Sequence, residues 1–212
     1  MRFDRCRELF GGEAFEKLQS AGVIVLGVGG VGSYVLDCLY RSGIGRITIV
    51  DYDIYEESNR NRQIGSDAVG ACKVTTLSGL YPGIETIRTR MDIEWVESFD
   101  FDPYDVVVDA SDTTRVKIEI AKKCHEKLIM SLGSAGRVDA SMVRSDSIWR
   151  SHGDALGRKL RNELRKSAFS EEFRVVYSPE PTVAGNRGSF VGVTGTFGLM
   201  ICSEAVKMIL KN

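Results

Sequence analysis

No Cys-x-x-Cys pair occurs in the 212 residues, which removes the usual ligand spacing of a structural zinc site. The five cysteines, Cys6, Cys38, Cys72, Cys124 and Cys202, are odd in number and widely spaced. They read as reduced thiols of a cytoplasmic protein, not as a disulfide framework. Neither charge sign is in excess: 28 Lys and Arg against 29 Asp and Glu leave a net charge of −1. Strong attraction of the whole chain to nucleic acid is thereby excluded, and any basic patch has to be local. The start, Met1-Arg-Phe-Asp-Arg5, lacks the apolar segment of a signal peptide. The longest apolar region, Phe190 to Cys202, is too short and too broken by glycine to span a bilayer, so no membrane partner is expected. There is no internal repeat, no low-complexity tract and no linker rich in Pro, Ser or Gly. A chain of this length buries roughly 70% of its unfolded surface, so it forms a full core without staples. One domain over 1–212 is expected, with a core over 1–136 and an extension with a closing helix over 137–212.

What is present is a glycine fingerprint in the right context. Val23 to Leu26 reads as a buried parallel strand, Gly27-x-Gly29-x-x-Gly32 follows, and 31–42 reads as a helix. Gly27 permits the tight turn, Gly29 lets a phosphate approach the backbone, and Gly32 lets the helix pack close to the strand. The free N–H groups at the helix start then face the anion. Upstream, residues 4–20 read as two short helical pieces broken at Gly11-Gly12. Downstream, strands are expected at 46–50, 85–89, 105–109 and 127–132, and helices at 70–81 and 113–126. This alternation points to an α/β fold with a Rossmann-like, doubly wound, mostly parallel sheet flanked by helices. A C-terminal α+β extension follows. It consists of a strand over 140–143, a helix over 154–167, a loop over 168–189 holding one short strand (173–177), and an apolar helix over 191–210.

The fingerprint with an acid at the end of the second strand, Asp51, suits NAD as well as ATP, because ribose hydroxyls pair with a carboxylate in either case. The residues after that strand discriminate. Ser58-Asn-Arg-Asn-Arg62 and Lys73 set cations and amides beside the crevice, and a triphosphate needs that positive charge where hydride transfer does not. Asp109-Ala-Ser-Asp112 ends the fourth strand, where a carboxylate can hold Mg²⁺ against phosphates. Each residue also has a bland reading. Arg60 and Arg62 are solvated loop charges, Asp51 caps a loop, and Asp112 is the N-cap of the next helix. Lys73 at a helix start opposes the dipole, which favours a ligand role for it. In the extension, Leu156, Leu160 and Leu164 make one face of a helix whose other faces carry Arg158, Lys159, Arg161, Arg165 and Lys166. An amphipathic helix with a solvated face is the plain account of that pattern.

With these residues assembled, the chain resembles the adenylating superfamily of ubiquitin-activating enzymes and the ThiF and MoeB sulfur-carrier activators. Within it, the chain is most similar to the tRNA threonylcarbamoyladenosine dehydratases (TcdA, also called CsdL). The stretches that carry this likeness are Arg2-Phe3 leading to Leu9-Phe-Gly11, Arg41-Ser-Gly-Ile-Gly45, Asn59-x-Asn-Arg-Gln-Ile64, Asp154-Ala-Leu-x-x-Lys-Leu-Arg161 and Thr194-Gly-Thr-Phe-Gly198. The resemblance implies that Gly29, Gly30 and Gly32 line the ATP phosphates, beside the turn at Gly27. Asp51 would hold the ribose, and Ser58, Asn59, Arg62 and Lys73 would lie against the phosphates. Asp112 would hold Mg²⁺. Arg5 matches an arginine that crosses to the partner's site in superfamily homodimers, although on sequence alone it is a surface charge. Some members hold an alkali cation (Na⁺ or K⁺) near the base of the last helix, but no motif places one here. The implied reaction is ATP-dependent adenylation of the threonylcarbamoyl carboxylate on tRNA, then cyclisation with loss of water. Arg158, Lys159, Arg161 and Arg165 would be the tRNA contacts. Relatives are longer between the basic helix and the last helix and often carry cysteines there, whereas residues 126–201 hold none. That weighs against the first alternative, adenylation of a ubiquitin-like sulfur carrier with thioester or persulfide chemistry. The second alternative is a module that binds ATP without chemistry. A sulfur-transfer partner is not determined by the sequence.

Overall fold

The computed structural model describes residues 2–182 and 188–211. Its centre is a seven-stranded sheet: β1 (Gly22–Leu26), β2 (Arg46–Val50), β3 (Glu85–Ile87), β4 (Val106–Asp109), β5 (Leu128–Ser131), β6 (Arg144–Ser147) and β7 (Arg174–Tyr177). The spatial order is β3-β2-β1-β4-β5-β7-β6. All neighbours are parallel except β6, which runs antiparallel to β7 at the edge. The extension therefore continues the sheet of the first half. Helices α1 (Asp4–Phe10), α2 (Gly12–Ser20), α3 (Gly32–Ser42), α4 (Lys73–Leu80), α5 (Ile93–Ser98), α6 (Thr114–Cys124), α7 (Ala155–Lys166) and α8 (Val191–Lys211) surround it.

The inner strands β1, β4 and β5 are nearly continuous apolar runs, buried throughout, because both faces of the sheet are covered there. Val23, Val25, Ile47, Ile49, Val106, Val108 and Ile129 point to one face, where Leu36, Leu39, Phe197, Ile201 and Ala205 of α3 and α8 pack. Ile24, Leu26, Val50, Val107, Leu128 and Met130 point to the other, against Val116, Ile120, Leu160 and Leu164 of α6 and α7. The two-residue alternation of a strand is thus visible only as a division between two cores. Helix α8, with 21 residues, is long and apolar enough to cross a membrane by length and composition. It extends well past the Phe190–Cys202 run, and Val193, Phe197, Ile201, Ala205 and Ile209 are buried inside the fold.

Three local departures from expectation have identifiable causes. Residues 140–143 do not form a strand: Asp139 Oδ1 accepts from the Ser141 amide (2.9 Å) and hydroxyl (2.6 Å), which bends Ala140–Met142 into a 3₁₀ turn. The strand begins only at Arg144. Helix α5 was not anticipated. It is six residues long, and its signal was the N-cap Asp92, whose carboxylate accepts from the Trp95 amide at 2.8 Å. Helix α4 is shorter than 70–81 because Gly70 takes φ +84°, a turn conformation, and regular helix starts at Lys73. Of the loop expected over 168–189, residues 183–187 lie outside the described residues.

An enclosed ion pair ties the ends of two strands. Lys117, on α6, is 1% exposed and Asp109, at the end of β4, is 0% exposed, with Nζ 3.3 Å from Oδ1. The same ammonium donates to the carbonyls of Ser131 (3.0 Å) and Asp109 (3.4 Å), joining the ends of β4 and β5. Lys117→Met strands a buried carboxylate and is expected to cost about 3–5 kcal/mol in urea unfolding, whereas the neutral double replacement D109N/K117M recovers most of that loss.

Candidate nucleotide and acyl-transfer crevice

The strand order reverses between β1 and β4, and at that point two strand ends diverge to leave a crevice. Its lining comes from the loops after β1, β2, β4 and β5 and from the starts of α7 and α8, and it encloses about 680 Å³. Gly27, Gly29, Gly30, Asp51, Asn59, Arg62, Lys73 and Asp112 all line it. Eight of the positions singled out in the sequence, far apart along the chain, therefore meet in one place.

The glycines divide by cause. Gly27 has φ +87° and lies against the Ala110 carbonyl, so the turn itself requires it. At Gly32 a Cβ would collide with the Gly27 carbonyl, and the helix start could not sit so close to the strand end. Gly32 thus acts through packing and is not part of the lining. At Gly29 a Cβ would meet only Gln63 Nε2, at 3.8 Å. No protein atom demands glycine there, and the open side faces the crevice.

Asp51 clamps this loop. Its Oδ2 accepts from the Val28 amide and its Oδ1 from the Asp53 amide, both at 2.9 Å, which ties the end of β2 to the glycine turn. Lys73 is the first residue of α4, 5% exposed, and its ammonium pairs with Asp53 Oδ2 at 3.1 Å. Arg62 is held by the carbonyl of Ser58 (2.6 Å) and by Asn61 Oδ1 (2.9 Å). Asn59 is buried because its Oδ1 caps the preceding turn, accepting from the Glu56 amide at 3.1 Å. Asp112 is exposed, and its Oδ1 accepts from the Thr113 hydroxyl at 3.2 Å. The N-cap position of α6 belongs to Thr113, so the capping reading of Asp112 is not realised. Among the described residues, no group of three or more His, Cys, Asp or Glu is gathered as a metal cage. A single carboxylate at a phosphate site is instead the usual protein share of a Mg²⁺ shell.

Other sequence-selected residues lie elsewhere. Ser58 is exposed, donates to Glu56 Oε2 at 3.4 Å and does not line the crevice. Arg5 lies on α1, pairs with Glu8 at 2.9 Å, and has 93% of its side chain exposed. Arg158, Lys159 and Arg165 line an open surface groove along α7 together with Lys166. Arg161, grouped with them by sequence, turns the other way: its Nη1 donates to Ser151 Oγ at 2.5 Å. Burial lowers its pKa. Cationic pattern alone does not reveal this, because Arg161 is one residue past Leu160 and sits at the border of the apolar stripe.

Sequence reasoning missed Arg137. It is 3% exposed yet lines the crevice, and its Nη2 donates to Asp154 Oδ2 at 2.8 Å. Asp154 also caps α7, accepting from the Gly157 amide at 2.7 Å. The Asp154-x-x-Gly157 spacing was a cap signal, but nothing in the chain marked Arg137 as its partner. Gln63 and Thr194 also line the crevice, and each leaves a buried oxygen without a partner.

The family model described as ThiF family matches residues 3–212. The tRNA threonylcarbamoyladenosine dehydratase of Bacillus subtilis is 34% identical over 194 residues, covering 86% of this chain and 76% of the relative. The crystal structure of the Escherichia coli tRNA N6-threonylcarbamoyladenosine dehydratase, TcdA, in complex with ATP superimposes with a TM-score of 0.93 at 28% identity, over 99% of this chain and 94% of that one. The adenylyltransferase and sulfurtransferase MOCS3 of Anopheles gambiae is 30% identical over 209 residues, but this chain covers only 43% of its length.

Gly29→Ala separates binding from folding. The added methyl enters open space, so urea unfolding is expected to shift by no more than about 0.5 kcal/mol, while titration with a fluorescent ATP analogue shows affinity reduced by about tenfold or more. Gly32→Ala, in contrast, is expected to lower stability before any effect on binding can be read.

Proposed function

The chain belongs to the ThiF family, and we propose that it is an ATP-dependent tRNA threonylcarbamoyladenosine dehydratase. The observation that carries this reading is the continuity of the crevice. It runs from the glycine loop, past Lys73 and Asp112, to Ala155 and Leu156 at the start of the basic helix α7. A nucleotide at one end and a nucleic acid at the other would meet within it.

A nucleoside triphosphate fits the lining. Gly29 leaves room for a phosphate, and Gly30 and Val31, on the turn into α3, line the same space. Arg62 and Lys73 supply fixed cations, with Lys73 sufficiently enclosed that its charge acts in a low dielectric. Asp51 is the carboxylate for the ribose, and Asp112 is the residue that would hold Mg²⁺, which when bound neutralises phosphate charge. In the first step a carboxylate oxygen of the threonylcarbamoyl group bonds to the α-phosphorus of ATP. The bond to the bridging oxygen breaks, and pyrophosphate leaves. In the second step the carbamoyl oxygen of the same group bonds to the activated carbonyl carbon as its nitrogen loses a proton, and AMP leaves. The balance is one water removed from the substrate and carried away in AMP and pyrophosphate. Both reacting ends belong to the substrate, so no protein nucleophile is needed. The side chains act by proximity and by stabilising charge on the departing pyrophosphate.

The same reading includes a homodimer in which Arg5 reaches the partner's crevice. It is supported by α1, which buries none of its own residues, and by Leu9 on the same helix, 77% exposed. The tRNA contacts are assigned to Arg158, Lys159 and Arg165, which line the groove, and not to Arg161. A sulfur-carrier substrate is the alternative; the absence of cysteine from 126–201 weighs against it.

The direct test is incubation with ATP, Mg²⁺ and threonylcarbamoyl-modified tRNA. AMP release and loss of one water mass from the nucleoside are expected. AMP release or pyrophosphate exchange that needs a carrier protein and ignores tRNA would sink the proposal. In this assay Lys73→Ala is expected to lower kcat on the order of 10²–10³-fold, and Asp112→Ala to remove AMP formation while leaving measurable nucleotide binding. The α7 assignment predicts tRNA binding that weakens steeply with salt. The R158A/K159A/R165A variant should flatten the log–log salt slope by about two to three units, and an unchanged slope would remove α7 from the interface.

A further inference from the structure

We infer that Arg137 is a positioning residue: through Asp154 it sets the alignment of α7 against the crevice, so that tRNA held on the basic face presents its reacting group over the glycine loop. The inference rests on the tRNA reading above and extends it to residues to which that reading assigns no nucleotide or phosphate contact.

The geometry is a three-way joint. The Arg137 guanidinium donates through Nη2 to Asp154 Oδ2 at 2.8 Å, through Nε to the Glu180 carbonyl at 3.2 Å, and through Nη1 to the Gly133 carbonyl. These acceptors belong to the first residues after β5, to the N-cap of α7 and to the segment after β7. Asp154 passes the constraint on, since its Oδ1 fixes the first turn of α7 at the Gly157 amide, 2.7 Å away. Glu180 closes the joint from the other side, its carboxylate accepting from the Val138 and Asp139 amides, each at 3.0 Å. Gly133, Arg137, Asp154, Ala155 and Leu156 all line the crevice. The wall of the reaction space and the start of the basic helix are thus parts of one hydrogen-bonded unit.

Stability does not account for such an arrangement. The two side chains are 2% and 1% exposed, and a buried ion pair is commonly no more stabilising than apolar residues of the same volume. An N-cap needs no arginine, because Asn or Ser serves as well. What the planar fork supplies is direction: three acceptors from separate segments are fixed at set angles, which the single point charge of lysine cannot do. Alignment is also what the proposed chemistry demands, since both reacting groups arrive on a substrate gripped at a distance by its phosphates.

The test uses R137K, which keeps the charge but loses the fork, and D154N, which keeps the cap but loses the charge. The neutral pair R137Q/D154N stands in should R137K fail to fold. For each, four quantities are measured: thermal midpoint, equilibrium ATP affinity, equilibrium affinity for threonylcarbamoyl-modified tRNA, and kcat for tRNA-dependent AMP release. The expected result is a fall in kcat of about tenfold to a hundredfold, with both affinities within about twofold of wild type. A kcat unchanged in all the folded variants, or a decline of ATP affinity, tRNA affinity and kcat together with the midpoint, overturns the positioning role. Absence of tRNA-dependent AMP release from the wild-type chain overturns the functional reading itself and this inference with it.

Discussion

The approach of α3 to the end of β1 is the contact on which the rest depends. With no Cβ at Gly32, the helix begins directly against the Gly27 carbonyl. Two consequences follow from that one spacing. The turn that leads into α3, with Gly29, Gly30 and Val31, is carried into the crevice, where its backbone can face an anion. The helix also sits low enough on the sheet for α8 to lie beside it, and there too glycine is used: a Cβ at Gly198 would fall 2.7 Å from the Val31 carbonyl and 2.6 Å from the Tyr34 side chain. The glycine loop and the apolar C-terminal helix, far apart along the chain, are parts of one packing solution. That explains why so apolar a helix belongs to the core of the fold and why its first turn reaches the crevice.

Around the crevice, the loops that leave the strand ends are each tied by a charged group with little or no exposure. Asp51 holds the turn after β1 to that after β2. Lys117 and Asp109 join the ends of β4 and β5, and Asp109 Oδ1 also accepts from the Ser111 amide at 3.0 Å, steadying the loop that carries Asp112. Arg137 and Asp154 join the loop after β5 to α7. None of these is an efficient stabiliser, because desolvation offsets most of the Coulomb gain. Their common product is a rim of loops with fixed positions. Preorganised charge is what stabilises a transition state without reorganisation cost at the moment of reaction, and loops otherwise free to move would forfeit it.

The fold was readable in the sequence wherever one cause dominated. Continuous apolar runs bounded by glycine or acid gave the parallel strands, and Gly27-x-Gly29-x-x-Gly32 gave the switch point. Legibility failed where two causes competed. At 140–143 an apolar-polar pattern that suits a strand lost to a side-chain turn at Asp139. At 93–98 a six-residue helix was too short for periodicity to appear, and only its cap could reveal it. In the site, residues near the fingerprint in space were also near known strand ends in sequence, so Asp51, Asn59, Arg62, Lys73 and Asp112 could be collected beforehand. Arg137, Lys117 and Thr194 could not, because each is defined by a partner or neighbour distant in the chain. Arg161 shows the converse: charge placed it on the exposed face, but its position beside Leu160 turned it toward Ser151.

The balance of net charge bears on the same point. A chain at −1 overall cannot attract tRNA by its mean field, so binding has to come from a local cluster, and on the proposed reading Arg158, Lys159 and Arg165 of α7 supply it. Such a cluster grips phosphates but reads no base and fixes no angle. Specificity for a particular modified nucleoside therefore has to arise downstream of the grip, in how far and at what tilt the substrate reaches into the crevice. A substrate that supplies both of its own reacting groups makes that geometry the main catalytic demand on the protein. On the proposed reading, the absence of a cysteine between 126 and 201 removes no group that the two steps require, because the substrate brings both reacting ends.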